Sequence, residues 1–396
     1  MKNIVIYCIS AIFLLIPVSA VRPMTSLFAN DLKASMVEIG FIVACYSITP
    51  LFIAIRAGRF VDRIGEKLPL MVGSIGMTIA VVLPYFFPYL FMLYISQLIL
   101  GGSQLLALVA LQNGVGRSVP IEKRDKAIGT FSLCVSFAMM LGPLIGGYSV
   151  EHNSFSISYL LISFFSIVPL ILSLFIISSR SEGEKEPAAK GFNNVLDLLI
   201  IPGLKRSIIV SMIILAGLDI FYVYYPLFAT SIGLSPLQIG WILTIQAFAS
   251  IITRLFMPFL VSKFGRVKVL YVFMFFGAIA YASIAFFEHF VIIALLTVIL
   301  GFGLGITQPL TTIISYNLAP KGHTGEVLGL RLAGNRLSQV IIPLLFAGLS
   351  NFIGLGFIFI IKAIALGGGA ILAKGIQEKE DEVQNEYRVN CSIKSK

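Results

Sequence analysis

The sequence predicts an all-α polytopic membrane protein built from two six-helix bundles, and three observations carry that prediction. Of its 396 residues, 58% are hydrophobic and only 12% are charged. A soluble domain carries about 25% charge, and apolar runs of about 20 residues, the length that crosses a ~30 Å hydrocarbon core as helix, recur here along the chain. Basic residues gather in alternate loops. The chain also matches itself at an offset of 200 residues without a gap.

The apolar runs fall at 4–24, 36–55, 68–87, 89–111, 127–149 and 157–178, then at 207–229, 236–260, 269–287, 290–314, 327–349 and 352–373. Twelve crossings return both ends to one side. With that side inside, outward loops hold only Arg22 and Lys33 as basic residues. Inward loops hold Arg56, Arg59, Arg63, Lys67, Arg117, Lys123, Arg124, Lys126, Lys263, Arg266, Lys268 and Lys321. This asymmetry places both termini in the cytoplasm. It also accounts for the net charge of +10 without a nucleic-acid partner. The four cysteines, Cys8, Cys45, Cys134 and Cys391, have neither zinc-ligand nor CxxC spacing, so no metal, cofactor or disulfide is expected.

The repeat pairs "LFA" 27–29 with 227–229, "IG" 39–40 with 239–240, Gly65 with Gly265, and "LG" 100–101 with 300–301. Pro120 meets Pro320, Gly129 meets Gly329, and "PL" 143–144 meets 343–344. Several of these are Gly or Pro at segment ends, where backbone geometry restricts the choice. The first 20 residues imitate a signal peptide, but span 1 matches span 7, so it is read as a retained helix. The organisation is an N-terminal bundle at 1–178, a cytoplasmic linker at 179–206, a C-terminal bundle at 207–374 and a cytoplasmic tail at 375–396. In the linker, Phe192, Val195, Leu196 and Leu199 fit either a short surface helix or a solvated segment. The polar tail reads as disordered. Two parallel repeats about a pseudo-two-fold along the membrane normal describe a rocking transporter.

Gly58-x-Phe60-Val61-Asp62-Arg63-Ile64-Gly65-Glu66-Lys67 resembles the loop 2–3 signature of the major facilitator superfamily. Glu66 stands where that family has a basic residue, and Phe60 where it has Leu. The second half keeps a decayed copy, "PFLVSKFGRVK", with Ser262 at the position of Asp62. The resemblance implies the major facilitator fold, alternating access and a monomer. It also implies that Asp62 latches the halves against the start of span 11, where Arg331 sits. Gly129-x8-Ala138-x3-Gly142-Pro143-x2-Gly146-Gly147 resembles the span 5 signature of antiporters and drug exporters. The Arg-Gln signature of span 4 in proton-coupled exporters is missing: Gln97 and Leu100 occupy those places.

Ionisable groups inside a span are costly and functional by default. Asp219 is the acid nearest the middle of any span and the proton-coupling candidate, the alternative being a structural carboxylate paired within the bundle with Arg22. Glu38, Glu151 and Glu288 lie at outer boundaries. Polar residues at helical spacing mark faces along an aqueous path. These are Gln97 and Gln104 in span 4; Gln246, Ser250 and Arg254 in span 8; Thr307, Gln308 and Thr311 in span 10; and Arg331, Asn335 and Gln339, with Arg336 alongside, in span 11. Lys362 reads as snorkelling or locally paired. Tyr222 is a cavity candidate, with Tyr224 and Tyr225 in an interfacial belt. The cations outnumber Asp219, which points to a substrate with an anionic or strongly polar group. The expected function is secondary transport of a small organic molecule across the cell inner membrane. Proton-coupled export (antiport, efflux) leads, and proton-coupled import of a polar or anionic metabolite is the alternative. No nucleophile motif or nucleotide loop supports an enzyme.

Overall fold

The structure, a computed structural model, describes residues 2–176, 201–320 and 324–394. The surface helix considered for residues 192–199 falls outside them. Among the described residues every regular element is a helix: α1 (Lys2–Asp31), α2 (Met36–Ile64), α3 (Lys67–Phe86), α4 (Leu90–Arg117), α5 (Ile121–His152) and α6 (Phe155–Leu174) form the first bundle. The second comprises α7 (Pro202–Ser231), α8 (Pro236–Phe264), α9 (Arg266–Ile284), α10 (Phe290–Gly305), α11 (Thr307–Asn317), α12 (Thr324–Ile353) and α13 (Leu355–Lys394). Among the described residues eleven spans are long and apolar enough to cross a membrane, with α10 and α11 together making one. Beside them α12 runs for 30 residues, enough for about 45 Å of helix, and packs against α2 and α7. The protein is a multi-pass membrane protein.

The repeat is visible in backbone geometry. Ser35 and Ser235 each close a capping box, with Glu38 and Gln238 returning the bond. Gly65 (φ 89°) and Gly265 (φ 81°) both end a helix in a conformation that L side chains rarely adopt. Tyr46 and Gln246, 200 apart, lie against Gly101 and Gly301, where a Cβ would strike their carbonyl groups. Two hydrophobic cores result, one per bundle, each borrowing a few side chains from the other: Tyr224 and Phe346 in the first, Leu27 in the second. Outward faces carry exposed Phe52, Phe91, Phe286 and Ile371, as a lipid-facing surface requires.

Prolines inside the helices free carbonyls that other helices satisfy. Pro84 cannot donate to Ala80 O, and Ser96 Oγ does so at 2.7 Å. Pro309 cannot donate to Gly305 O, and Arg254 Nε does so at 2.8 Å. The expected continuous span 290–314 is therefore broken at Ile306, between α10 and α11. The tail also departs from expectation: α13 continues to Lys394 rather than ending in disorder. Its run of Glu, Lys and Gln is rich in strong helix formers and propagates a helix already nucleated within the bundle.

The bundles meet closely at the end opposite the basic loops. A Cβ on Gly240 would come within 2.6 Å of Pro143 O, and one on Gly147 within 3.1 Å of Gly240 Cα. Leu237 N donates to Glu151 Oε2 at 3.3 Å, and Thr244 Oγ1 to Met140 O at 3.0 Å. Only about 10 Å³ of void is left among α1, α5 and α8 there. At the basic end the reverse holds: Asp62 and Arg63 are exposed, and Gly58, Gly129 and Gly329 have nothing within 4 Å of a built Cβ. The molecule is closed at one end and open at the basic end.

Candidate functional site

Arg22, on α1, forms an ion pair with Asp219, on α7, and so joins the two bundles at mid-membrane. Neither is wet: their side chains are 15% and 3% exposed. The Arg22 guanidinium also lies over the rings of Tyr46 (5.3 Å) and Tyr222 (5.9 Å). Asp219 Oδ2 is buried with no hydrogen-bond partner. Such an atom in a low-dielectric interior is an unfilled acceptor.

Below the pair lies a cavity of about 110 Å³, lined by Arg22, Tyr46, Gln104 and Tyr222 with Ser19 and Met139. Tyr46 donates to Gln104 Oε1 at 3.1 Å, which fixes that wall. Leu108 and Val135 are shared with a second cavity of about 430 Å³ toward the basic end, whose polar wall is Gln112, Ser132, Ser136 and Arg254. With Nε committed to Gly305 O, Arg254 keeps its terminal donors for an occupant. The two cavities make one path, bordered by cations and hydroxyls from both bundles.

The remaining sequence candidates divide. Gln97 Nε2 donates to Thr25 Oγ1 at 3.0 Å, and Thr25 pairs with Tyr159, so Gln97 belongs to an α1–α4–α6 network rather than to the Gln104 wall. Gln246 and Ser250 hold α8 to α10: Gln246 donates to Ser250 Oγ, and Ser250 to Gly301 O at 3.0 Å. Their stripe is interhelical glue at a point where Gly301 and Gly305 let the backbones close. The Thr307 and Thr311 hydroxyls donate back to Leu304 O and Gln308 O. Asn335 Oδ1 accepts from Ser211, and Arg336 donates to Gln339 Oε1 at 2.9 Å.

Asp62 does not meet Arg331 in this conformation. Asn113 donates to Asp62 Oδ1 at 3.0 Å, and Arg331 reaches Gln308 O and Thr311 Oγ1, each at 3.4 Å, with Nε unpartnered. The basic end is open, so the two groups lie on separated bundles. Gly58 has no neighbour to approach for the same reason, and neither does Gly129. Further along span 5 the small residues do pack closely: Gly142 on Ile16 and Ala20 of α1, Gly146 on Ala20 and Met24, and Gly147 on α8. Ala138 O accepts from Ser19 at 3.2 Å. Pro143, with its carbonyl at Gly240, sits in the closed contact.

Two expectations are corrected. Tyr224 and Tyr225 are fully buried rather than interfacial, and Tyr224 donates to Pro343 O at 2.6 Å. Lys362 does not snorkel: it is buried and donates to Ile213 O, its stem passing 3.0 Å from where a Cβ on Gly217 would stand. Glu66, which stands where the family pattern has a basic residue, is 1% exposed and pairs with Arg117 at 3.2 Å. Its departure from the family pattern was the signal for that pair. Lys67 of the same motif donates to Leu174 O. Tyr46 was missed, although its position opposite Gln246 in the repeat marks it.

A helical protein closed at one end, open at the other, with a polar path between two repeats and an ion pair across them, is a transporter. The family model described as Major Facilitator Superfamily matches residues 7–207 and 207–389, and the chain belongs to that family. It is 23% identical over 385 residues to Multidrug resistance protein 2 of Bacillus subtilis (strain 168), covering 91% of this chain and 96% of that protein. Multidrug resistance protein 1 of the same organism is 26% identical over 238 residues, 60% of this chain, and the match spans 61% of that relative. Quinolone resistance protein NorA of Staphylococcus aureus (strain COL) is 21% identical over 360 residues, covering 89% and 88%. Among solved structures, nucleoside transporter NupG superposes with a TM-score of 0.77 at 14% identity, covering 96% and 99%. A D-xylose-proton symporter gives 0.77 at 14%, covering 93% and 96%.

Proposed function

We propose that the protein is a proton-coupled exporter of the cell inner membrane, with both termini cytoplasmic, in which halves 1–178 and 207–374 rock about the Arg22–Asp219 pair. The observation that carries the reading is that pair: a carboxylate in mid-membrane, held by a cation of the opposite bundle and bordering the path. Protonation of Asp219 releases Arg22, and release loosens the bundles. Antiport requires proton and substrate to occupy this centre in turn: an anionic or strongly polar group competes with the ionised Asp219 for Arg22, with Arg254 and Tyr222 as further partners, in one conformation, and the proton loads Asp219 for the return in the other. Export over import is supported by the span 5 pattern and by the likeness to multidrug and quinolone resistance proteins. The solved importers share the fold alone and do not bear on direction. Asp62 and Arg331 are proposed as the latch of the opposite conformation, when the basic end closes.

The test is uptake of a quinolone, which carries a carboxylate, into inside-out vesicles with an acid interior. Gradient-driven accumulation is expected, and Asp219→Asn should abolish it while downhill exchange persists. Accumulation confined to right-side-out vesicles would replace export with import, and a fully gradient-driven Asp219→Asn would remove that residue from coupling.

A further inference from the structure

A groove unrelated to the transport path opens sideways between α9 and α13, wholly within the second bundle. It encloses about 380 Å³, and Tyr271, Phe275 and Phe276 of α9 face Gly367, Ile371 and Lys374 of α13 across it. That volume is within the roughly 300–1,000 Å³ range of ligand pockets. The sequence makes the groove: in "LGGGA", 366–370, a Cβ built on Gly367 meets nothing within 4 Å, so the missing side chain is the missing wall. Phe275 (56% exposed) and Ile371 (75%) show that it opens to the lipid side.

The groove is not uniformly apolar. Lys374 closes its basic end and is exposed. Lys268 is also exposed and precedes Tyr271 by three residues, one turn further toward the same end on the same face of α9. The α9 N-terminus, at Arg266, adds the positive end of the helix dipole. α9 contains no acidic residue, and α13 has none before Glu378, one turn beyond Lys374. An apolar slot ending in two ammonium groups and a helix N-terminus has the charge pattern of an anionic amphiphile.

We propose that this groove is a binding site for an anionic phospholipid, its phosphate held by Lys374 and Lys268 and one acyl chain lying along Phe275, Phe276 and Gly367. An uncharged or zwitterionic lipid fills the slot without satisfying the lysines. The lipid joins α9 to α13 and leaves the central path untouched.

The experiment uses the delipidated full chain, native mass spectrometry, and titration with phosphatidylglycerol and phosphatidylcholine of identical chains. Each interfacial lysine contributes about fivefold in affinity for an anionic lipid. The wild type should prefer phosphatidylglycerol, Lys374→Gln should bind it about fivefold more weakly, and Lys268→Gln with Lys374→Gln about 25-fold more weakly. Lys374→Arg should retain binding, and Gly367→Phe should weaken both lipids by filling the slot. Lys263→Gln, at the end of α8, should change nothing. Equal binding of the two lipids by the wild type overturns the proposal, as does an unchanged preference in the double variant. Competition by glycerol phosphate would also overturn it, because a headgroup alone would then suffice.

Discussion

The variant Asp219→Asn leaves Arg22 buried without its counter-ion. Breaking a buried ion pair by removing one member costs about 3–5 kcal/mol, because the remaining charge is uncompensated. The contacts of Arg22 with the Tyr46 and Tyr222 rings, at 5.3 and 5.9 Å, are common to both forms and offset none of this. The loss of about 3–5 kcal/mol falls on the conformation in which α1 and α7 are joined, with α5 closed on α8. At 1.4 kcal/mol per decade, this shifts the population away from that closure by about 140- to 3,700-fold. The assay is crosslinking at the closed end, using Glu151→Cys with Leu237→Cys, positions already in hydrogen-bond contact. The four native cysteines are replaced beforehand. Crosslinking should fall in Asp219→Asn and recover in Arg22→Gln with Asp219→Asn, where two neutral groups can pair. Undiminished crosslinking in the single variant would refute the reasoning. So would a double variant no better than the single, since the loss would then not come from an orphaned charge.

Asp62→Asn should barely alter the present conformation, in which the side chain only accepts from Asn113, while weakening closure of the basic end by about 0.3–2 kcal/mol; faster thiol labelling at that end would register it, and unchanged labelling would contradict the latch. Gly240→Leu should overpack the α5–α8 contact by about 1–3 kcal/mol, because Pro143 O lies 2.6 Å from a built Cβ, and reduce the same Glu151–Leu237 crosslink. Lys362→Met removes a buried ammonium that donates to one backbone carbonyl, so stability should hold or rise, by up to about 4 kcal/mol, with Tm as the readout. A lower Tm would show that the ammonium is net stabilising.

The bundle architecture was legible because the bilayer imposes it: span length, loop charge and the 200-residue repeat are each forced by a single physical constraint. The same repeat located the terminal Gly65 and Gly265, since local geometry depends on a few adjacent residues, while the capping Ser35 and Ser235 emerged only from the structure. Arg22 and Asp219 were legible as a pair because two opposite charges in hydrocarbon have few other partners. Polar uncharged stripes were less informative. Periodicity places Gln97 and Gln104 on one face, but whether that face meets water or a neighbouring hydroxyl depends on which helix packs there. Thr25 meets Gln97, while the cavity meets Gln104. The Gln246–Ser250 stripe failed in the same way, as did Tyr224, whose hydroxyl found Pro343 O instead of the interface.

The break at Ile306 shows how a local rule becomes a mechanical element. Pro309 withdraws one donor from span 10, and the freed Gly305 carbonyl is taken by Arg254, a side chain that also borders the larger cavity. Arg254 therefore touches both the path and the joint between α10 and α11. An anionic occupant that draws on its guanidinium competes with the joint for the same group. Arg331 binds Gln308 O and Thr311 Oγ1 from the far side, on α11 just beyond the break, and it is the residue proposed to meet Asp62 when the basic end closes. Cavity, joint and latch are thus linked through two arginines and eleven residues of helix, Thr307–Asn317. In the proposed cycle the ion pair at Asp219 sets when the bundles move, and the Pro309 break sets how an occupant at Arg254 reaches the gate.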